Sequence, residues 1–352
     1  MQSQAELESM LRSSLPAYMH EKIPFWVHYL TQLNGCHLYS VESPELDKGK
    51  WLKARRAGIG GSEIAAIIGE NHWNSPRQIW MSKMGMFDDK PPQQSEAARW
   101  GNLLETVVAD EWALREGRKY IHIPVILQHD EEPWLLANID GFTVSADGAQ
   151  VTGILEIKTT SAFNNDAWEH GPLPFHYLCQ TNWYCGITGL GVYTIVCLVG
   201  GQKLYSYELP ADPELFKRER DAAKVFWCHN VLEGIEPEAT AVDKGLLARD
   251  EKEAPPEDAG EAIMDDDETE RMTEAYVKMR EKMKGMKDIK DAIYAQLKLR
   301  IGNYSGVVTK SHTINVKRTQ RRTCDFDLLQ ELDEDIYRQV VRFSNSMSLS
   351  IK

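Results

Sequence analysis

The chain has 352 residues, of which 42% are hydrophobic, and a formal net charge of −13. That length allows one large or two ordinary folded domains. No apolar run approaches the roughly 18 residues of a transmembrane helix, and no basic-then-apolar secretion signal opens the sequence, so we expect a cytoplasmic protein. The six cysteines form no Cys-x-x-Cys pair, which excludes the common zinc and iron–sulfur motifs and indicates reduced thiols.

The acidity lies mainly in one segment. Residues 233–274 contain 16 acidic and 4 basic residues, whereas residues 275–352 contain 9 acidic and 16 basic residues. A segment this acidic buries little apolar surface, and we predict that residues 236–265 form a flexible linker between a core over 1–235 and an extension over 266–352. The net charge of the whole chain therefore does not exclude a nucleic-acid partner.

The first motif that suggests a binding site follows a leading helical segment over residues 1–50. Arg55 and Arg56 precede a glycine-rich turn, and Ser62 is a typical N-cap for the apolar helical run that stops at Gly69. Free amides at a helix N-terminus, a hydroxyl group and guanidinium groups can bind phosphate. An ordinary capped helix with surface arginines would show the same pattern.

Residues 96–116 carry apolar side chains at helical spacing and are predicted to form a second helix. Glu105 lies on this helix, and the strands Ile121–Leu127 and Trp134–Asp140 follow it. A lone helical glutamate is usually exposed to solvent. Glu105 becomes relevant to chemistry only as a third carboxylate beside those described next.

A predicted hairpin carries the most informative pattern in the sequence. Asp140 ends one strand, Ser145–Gly148 contains the Asp-Gly pair of a tight turn, and Glu156 and Lys158 follow on the next strand. Residues two apart on a strand share a face, so Glu156 and Lys158 point the same way and Ile157 points into the core. Folding this hairpin is expected to bring Asp140 close to Glu156.

Two carboxylates and one ammonium group would then converge. Glu–Lys pairs on strands are usually a solvated face, but Val151, Ile154 and Leu155 make this strand apolar, as in a buried strand. Buried charges are rare unless they are paired or metal-bound. Carboxylate oxygens suit Mg²⁺, and an adjacent lysine can hold an attacking water, so the pattern predicts phosphodiester hydrolysis.

The rest of the first part alternates helices and strands. We predict a helix over Phe175–Thr188 that contains Gln180, strands over Gly191–Val199 and Leu204–Leu209, and a helix over Asp212–Leu232. Together with the earlier elements, this order predicts a mixed α/β core with a sheet flanked by helices.

The C-terminal part differs in character. Residues 265–300 are predicted to form a long charged helix with a methionine-rich apolar stripe, a pattern more typical of a packing face than of a binding site. A hairpin is expected from Val307–Val308 and His312–Arg318. The basic cluster Lys317–Arg322 could contact phosphates or could be a solvated strand end.

Several of these motifs resemble, in order, those of the YqaJ-type viral recombinase family, relatives of phage lambda exonuclease in the restriction-endonuclease-like PD-(D/E)xK superfamily. The resemblance covers roughly residues 50–210 and rests on Arg55-Arg56, Gly58-Ile59-Gly60-Gly61-Ser62-Glu63, Trp100-Gly101-Asn102-Leu103-Leu104-Glu105, Asn138-Ile139-Asp140-Gly141, Glu156-Ile157-Lys158 and Tyr177-Leu178-Cys179-Gln180-Thr181-Asn182-Trp183-Tyr184. Ile139 replaces the usual proline and Glu63 replaces the commoner aspartate, but neither position supplies a metal ligand directly.

The resemblance implies a restriction-endonuclease-like fold and a Mg²⁺-dependent 5′→3′ exonuclease that acts at double-stranded DNA ends in phage-type recombination. It implies two metal ions, with Mn²⁺ as an alternative to Mg²⁺, held by Asp140, Glu156, the Ile157 carbonyl and Glu105. Lys158 would orient the attacking water, and Gln180 would fix Lys158 or the scissile phosphate.

The resemblance also implies how the DNA end is recognised. Ser62 with Arg55 or Arg56 would bind a 5′-phosphate, and the register to Ser62 favours Arg55. Asn138 stands where lambda exonuclease has a serine near the DNA end. A homo-oligomer, trimeric by resemblance, a single-strand annealing protein as partner, and a bacterial or phage-infected cell are further implications.

Two other functions fit the same residues. A structure-specific or restriction-type endonuclease would use the same core. A non-catalytic protein that binds DNA ends would need no catalytic set, and the complete Asp140, Glu156 and Lys158 set argues against it.

Overall fold

The computed structural model describes residues 3–42, 44–86, 95–245, 247, 264, 266–315 and 326–341. Contacts divide the chain into two units, Met1–Gly245 and Leu246–Lys352. In the first unit, the buried Asp243 carboxylate accepts a hydrogen bond from the Ser75 hydroxyl at 2.5 Å. The first unit therefore extends beyond position 235, where the core was predicted to end. Most of the remaining linker lies outside the described residues, so the three-part division stays a prediction.

The first unit contains nine strands and nine α-helices in its described part. The strands are β1 (Cys36–Ser40), β2 (Ile59–Gly60), β3 (Lys119–Ile121), β4 (Ile126–His129), β5 (Leu135–Ala137), β6 (Gly141–Val144), β7 (Val151–Thr160), β8 (Val192–Val199) and β9 (Lys203–Pro210). The helices are α1 (Gln4–Ser14), α2 (Ile23–Leu30), α3 (Pro44–Arg55), α4 (Gly61–Ile67), α5 (Pro76–Lys83), α6 (Glu96–Glu116), α7 (Asn165–Glu169), α8 (Phe175–Thr188) and α9 (Pro213–Val225). Short 3₁₀ segments precede α2 and α7, and a π-helix over Phe226–Leu232 continues α9.

Two mixed sheets organise these elements. The larger has the order β3-β6-β7-β8-β9, in which β7 and β8 are parallel and the other neighbours antiparallel. The smaller has the order β1-β4-β5-β2, in which only β2 and β5 are parallel. Sheets flanked by helices confirm the predicted mixed α/β class.

The β6–β7 hairpin forms as the Asp-Gly turn predicted. Gly141 pairs with Leu155, and Phe142 pairs with Ile154 in an antiparallel register. Gly148 has a φ of +73°, a backbone conformation that favours glycine, and its amide donates to the Ser145 carbonyl at 2.8 Å. This turn fixes which residues of the two strands face each other.

Helix α6 covers one face of the large sheet. Leu155 and Ile157 of β7 form a buried cluster there with Val108 and Trp112 of α6. Burial of four such side chains supplies several kcal/mol of hydrophobic stabilisation, at about 1.5–3 kcal/mol for each aliphatic side chain. This cluster holds the odd-numbered residues of β7 in the core.

The even-numbered residues of β7 point to the opposite face, because side chains alternate along a strand. Ile154 belongs to the larger core, which also contains Trp183 of α8. Glu156 and Lys158 follow Ile154 on this face, and Gln180 of α8 hydrogen-bonds to Glu156 there. The sheet and α8 therefore position the charged pair between them.

Three predicted details are wrong. The strand expected over Ile121–Leu127 is two strands, because β3 ends at Ile121 and pairs with β6, whereas β4 begins at Ile126 and pairs with β5. The leading segment contains the strand β1, which was expected to be helix or loop. Ser62 is not an N-cap: helix α4 begins at Gly61, and Gly60 occupies the capping position.

The second unit contains α10 (Asp267–Ile301), a hairpin of β10 (Gly306–Val308) and β11 (Thr313–Asn315), and the helices α11 (Phe326–Leu332) and α12 (Glu334–Val340). The long helix and the start of the hairpin are as predicted. The basic cluster Lys317–Arg322 lies outside the described residues. In the described part of both units, no helix is long and apolar enough to cross a membrane.

Candidate active site

The hairpin register brings Asp140 to the middle of β7. Asp140 directly precedes Gly141, which pairs with Leu155, and its Oδ2 accepts a hydrogen bond from the Ile157 backbone amide at 2.8 Å. The Asp140 carbonyl is 2.6 Å from Nδ1 of His122. These contacts fix Asp140 between β6 and β7. This is the position at which its carboxylate was predicted to come close to that of Glu156.

Glu156 is the most deeply buried charged residue of the site. Its side chain is 0% exposed, and its Oε1 accepts hydrogen bonds from the Lys158 ammonium and from Nε2 of Gln180, the latter at 2.5 Å. The other oxygen, Oε2, is buried and has no hydrogen-bond partner in the described part of the chain. An unpaired buried carboxylate oxygen is unfavourable unless a ligand completes its coordination.

The charges at this site shift each other's pKa values. Burial, with the adjacent Asp140 charge, raises the pKa of Glu156 well above its ordinary range, and the opposite effect of Lys158 only partly offsets this. Burial alone would lower the pKa of Lys158, but the charges of Glu156 and Asp140 outweigh it and raise that pKa. The two carboxylates therefore favour the charged ammonium form of Lys158.

The donor set fits a hard divalent cation. Asp140 and Glu156 supply carboxylate oxygens, and the unpartnered Oε2 of Glu156 is a buried oxygen of the kind that Mg²⁺ binds. Among the residues that the structure describes, however, no three His, Cys, Asp or Glu side chains form a group that could hold a metal ion by themselves. A metal site here would have to be completed by backbone carbonyls, water or substrate oxygens, as is usual for Mg²⁺.

Glu105 lies on α6, the helix that covers the Ile157 face of the sheet. Its side chain is half-buried, and its charge acts on Tyr120, whose pKa is raised by burial, by the hydrogen bond to Asp110 and by both carboxylates. Glu156 points to the other face of β7. The role of Glu105 in a second metal site stays a prediction.

A second cluster surrounds Arg55. Its Nη2 donates to the Ser62 hydroxyl at 2.7 Å, and its guanidinium carbon lies 4.8 Å from the centroid of the Trp51 ring. The Trp51 indole nitrogen in turn donates to Asn138 Oδ1 at 2.7 Å. Stacking and hydrogen bonding hold the guanidinium group of Arg55 in one orientation beside Ser62. Its role in phosphate binding stays a prediction.

Lys83 lies beneath this cluster and was not singled out by the sequence. Its ammonium group donates to both carboxylate oxygens of Glu63 at 2.8 Å and to the Arg55 carbonyl at 2.9 Å. Burial lowers the pKa of Lys83, and the Glu63 charge opposes that shift. The Glu63 carboxylate also accepts from the Gly60 amide at 2.8 Å, so one free amide expected for a phosphate at this helix N-terminus is already bonded.

Tyr184 of α8 connects the two clusters. Its hydroxyl accepts a hydrogen bond from Gln180 at 3.2 Å, and burial together with the Glu156 and Asp140 charges raises its pKa. A Cβ atom at Gly61 would lie only 2.5 Å from Cε1 of Tyr184. Because glycine permits this close approach, α4 packs directly against the helix that carries Gln180.

The structure thus brings together Asp140, Glu156, Lys158 and Gln180, and it brings Arg55, Ser62 and Asn138 into a neighbouring cluster. Asn138 Nδ2 also donates to the Val125 carbonyl at 3.3 Å, so its side chain supports Trp51 and the strand beside it. Arg56 is half-buried, and its charge acts on Lys83. Trp51 and Lys83 were missed, although Trp51 lies one helical turn before Arg55 on α3. Tyr184 was quoted within a motif but given no role. Lys83 reaches the site only because α5 packs against α4.

Part of the chain is similar to known proteins. Residues 50–191 match the family described as YqaJ-like viral recombinase domain. The uncharacterized protein YqaJ of Bacillus subtilis strain 168 is 38% identical over 200 residues, which cover 56% of this chain and 60% of that protein. The match therefore spans about three fifths of that relative's length.

Two solved structures also match part of the chain. The alkaline exonuclease LHK-Exo from Laribacter hongkongensis has a TM-score of 0.43 at 17% identity, covering 53% of this chain and 94% of that one. A phage related exonuclease from Haemophilus somnus 129PT has a TM-score of 0.33 at 14% identity, covering 50% of this chain and 96% of that one. The family match over residues 50–191 agrees with the resemblance drawn from the motifs.

Proposed function

We propose that the chain is a Mg²⁺-dependent deoxyribonuclease that degrades double-stranded DNA from its ends in the 5′→3′ direction. The buried Glu156 carboxylate carries this proposal, because it lies beside Lys158 and Gln180 and keeps one oxygen without a partner in the described part of the chain. Burying a carboxylate in this way is unfavourable unless it serves a ligand. The YqaJ-like domain supports the same activity.

Each residue has a chemical role in this proposal. Asp140, Glu156 and the Ile157 carbonyl would hold a Mg²⁺ ion, which when bound supplies Lewis-acid stabilisation of charge on the phosphate. The neighbouring carboxylates raise the pKa of Lys158, so its ammonium group would act as a hydrogen-bond donor that orients the attacking water or stabilises negative charge. Gln180 donates to Glu156 and keeps that carboxylate in place as the phosphate binds. Glu105 would contribute to a second ion.

We further propose that the Arg55 cluster binds the 5′-phosphate of a DNA end. A guanidinium group already oriented by Trp51 and Ser62 loses little conformational freedom when it binds a phosphate. Lys83 and Glu63 support this group from below through the Arg55 carbonyl and the Glu63 carboxylate. They are positioning residues rather than contacts to DNA.

The family resemblance supports two further parts of this proposal. The 3′ single-stranded overhangs would pass to a single-strand annealing protein, and the enzyme would work as a homo-oligomer, trimeric by resemblance. Light scattering of the purified chain would measure its mass, and a stable monomer at working concentration would contradict the oligomer.

The experiment that tests the activity compares linear duplex DNA with the same plasmid as a closed circle, with Mg²⁺ and with a chelator. We expect Mg²⁺-dependent loss of the linear DNA and survival of the circle. Cleavage of the circle would assign the site to an endonuclease. Binding of linear ends without loss of DNA would assign it to a non-catalytic end-binding protein.

A further inference from the structure

Helix α10 exposes a row of apolar side chains along its length. Its row consists of Met272, Tyr276, Met279, Met283, Met286, Ile293 and Leu297, which are between 42% and 70% exposed. Single exposed apolar residues are ordinary, but a continuous row of this kind usually marks an interaction surface. We call these seven residues the α10 seam.

The spacing of the seam is that of a coiled coil. Its members are separated alternately by four and three residues, and the position that continues the series after Met286 is Lys290. Alternate steps of four and three repeat every seven residues, a period of 3.5 residues per turn rather than 3.6. A straight helix that packs on a globular core does not need a period of 3.5 residues. A helix that supercoils with a partner helix needs this period to keep one seam facing the partner.

Charges on α10 are sorted around the seam. Arg280, Lys282 and Lys287 occupy the positions that flank it, the e and g positions of the heptad. Acidic residues lie on the side opposite the seam, where Glu274, Glu281 and Asp288 recur every seven residues. The flanks of the seam are therefore positively charged, although the helix as a whole carries both signs.

We propose that the α10 seam is a docking surface for an amphipathic helix of a partner protein whose own flanking positions are acidic. Apolar side chains of that helix would pack between the seam residues as in a coiled coil, and its Glu or Asp side chains would face Arg280, Lys282 and Lys287. The methionines suit this role, because their flexible side chains adapt to the shape of a partner.

Two other occupants fit less well. In a parallel pair formed with a second copy of this chain, Lys282 would face Lys287 of the other helix, and like charges at these positions are destabilising. Nucleic acid would satisfy the basic flanks, but a phosphate backbone offers nothing to cover Met279, Met283 and Met286. The combination of an apolar seam and basic flanks favours an acidic helix.

Lys290 is expected to fix the register in which the partner helix binds the seam. It takes a seam position, 75% exposed at its side chain, between Met286 and Ile293. A single polar residue in the seam of a coiled coil fixes the register and the partner at some expense of stability. The partner helix is therefore expected to place an acidic residue opposite Lys290.

The test uses the full chain and two synthetic helical peptides with Leu and Ile at the seam positions. One peptide has Glu at every flanking position, and the other has Lys there. Fluorescence anisotropy of the labelled peptides is expected to show at least ten-fold tighter binding of the Glu peptide, with a difference that shrinks as salt is raised.

Two sets of variants make the result specific. Replacing Arg280, Lys282 and Lys287 together by Glu should reverse the preference in favour of the Lys peptide. Replacing the residues opposite the seam, with Glu274→Lys, Glu281→Lys and Asp288→Lys, should leave the Glu peptide preferred. Circular dichroism checks that the helical content of each variant is unchanged.

The apolar seam needs its own variant. Replacing Met279, Met283 and Met286 by Gln keeps good helix formers and is expected to abolish peptide binding. Equal binding of both peptides, or binding that survives this variant, would overturn the proposal. If the chain associates with itself and this variant abolishes that association, the seam belongs to a contact with a second copy. If duplex DNA binds and only the flank variant loses that binding, the face belongs to DNA. Both of those results would also overturn it.

Discussion

Strand β7 and helix α10 depart from the usual distribution of side chains in opposite directions. On β7, Glu156 is 0% exposed although it is charged, whereas on α10 Met286 is 70% exposed although it is apolar. A charge in the core is unfavourable until a counter-charge or ligand completes it, and an exposed apolar row is unfavourable until a partner covers it. The first departure points to chemistry, and the second points to recognition.

The largest expected effect concerns the buried carboxylates. Asp140→Asn removes one charge at nearly constant shape and should lower the rate of DNA degradation by on the order of 10²–10³-fold. It should also weaken the rise in melting temperature that Mg²⁺ produces, because a ligand stabilises only the state that binds it. The turn residue of the same hairpin provides a control, since Asp147→Asn should change neither quantity. Full Mg²⁺ stabilisation of Asp140→Asn would contradict the assigned metal site.

The next prediction compares the apolar residues of the two regions. Leu155→Ala on β7 should lower the free energy of unfolding by about 2–5 kcal/mol, because Leu155 is fully buried between β7 and α6. Met283→Ala on α10 should lower it by less than about 0.5 kcal/mol, because Met283 is 64% exposed. Urea denaturation of both variants measures the difference. Similar losses would mean that the α10 seam is already covered within the chain.

A smaller effect on activity is expected from Lys83 and Glu63, which support Arg55 and are not proposed to contact DNA. The buried Lys83 and the half-buried Glu63 form an ion pair that orients Arg55, so a Glu63→Gln/Lys83→Met double variant removes both charges together. We expect the preference for 5′-phosphorylated over 5′-hydroxyl ends to fall by roughly ten-fold, about 1.4 kcal/mol. The rate on hydroxyl ends should stay unchanged, and an unaltered end preference would contradict the positioning role.

The smallest effect tests a buried carboxyl group outside the site. Burial raises the pKa of Glu219 to about 8 from an ordinary 4.5, although hydrogen bonds from Asn182 and Cys179 and the Arg218 charge oppose this. Its contribution to stability is present below about pH 4.5 and is lost as the pH rises towards 8. Glu219→Gln should therefore make the decline in unfolding free energy between pH 6 and 7 shallower by roughly 1 kcal/mol. An identical pH profile would show that Glu219 titrates normally.

Local pattern was sufficient to predict the β6–β7 hairpin. The Asp-Gly turn and the two-residue alternation predict Asp140 close to Glu156, and Glu156 and Lys158 on one face. In the structure Asp140 accepts from the Ile157 amide, next to Glu156, and Lys158 donates to Glu156. The helix Phe175–Thr188 was equally predictable from its pattern. Short-range spacing determines these features, so they can be read from the sequence.

Features that depend on packing between distant elements could not be predicted in the same way. Lys83 reaches Glu63 only because α5 packs against α4, and no local pattern distinguishes it from other helical lysines. Ser62 was assigned as an N-cap because serine is a common capping residue, but the extended Gly60 already ends the strand there. Asn138 was expected at the DNA end, and nothing in its neighbours indicates the hydrogen bond from Trp51.

The most direct test of the central claim is Lys158→Ala assayed on linear duplex DNA labelled at its 5′ or 3′ ends, in Mg²⁺. Lys203→Ala, at an exposed ion pair with Glu169, is the matched control. We predict that the wild type and Lys203→Ala release the 5′ label first and that Lys158→Ala releases it at least about 100-fold more slowly. Equal release by Lys158→Ala, or Mg²⁺-independent release, would contradict the account.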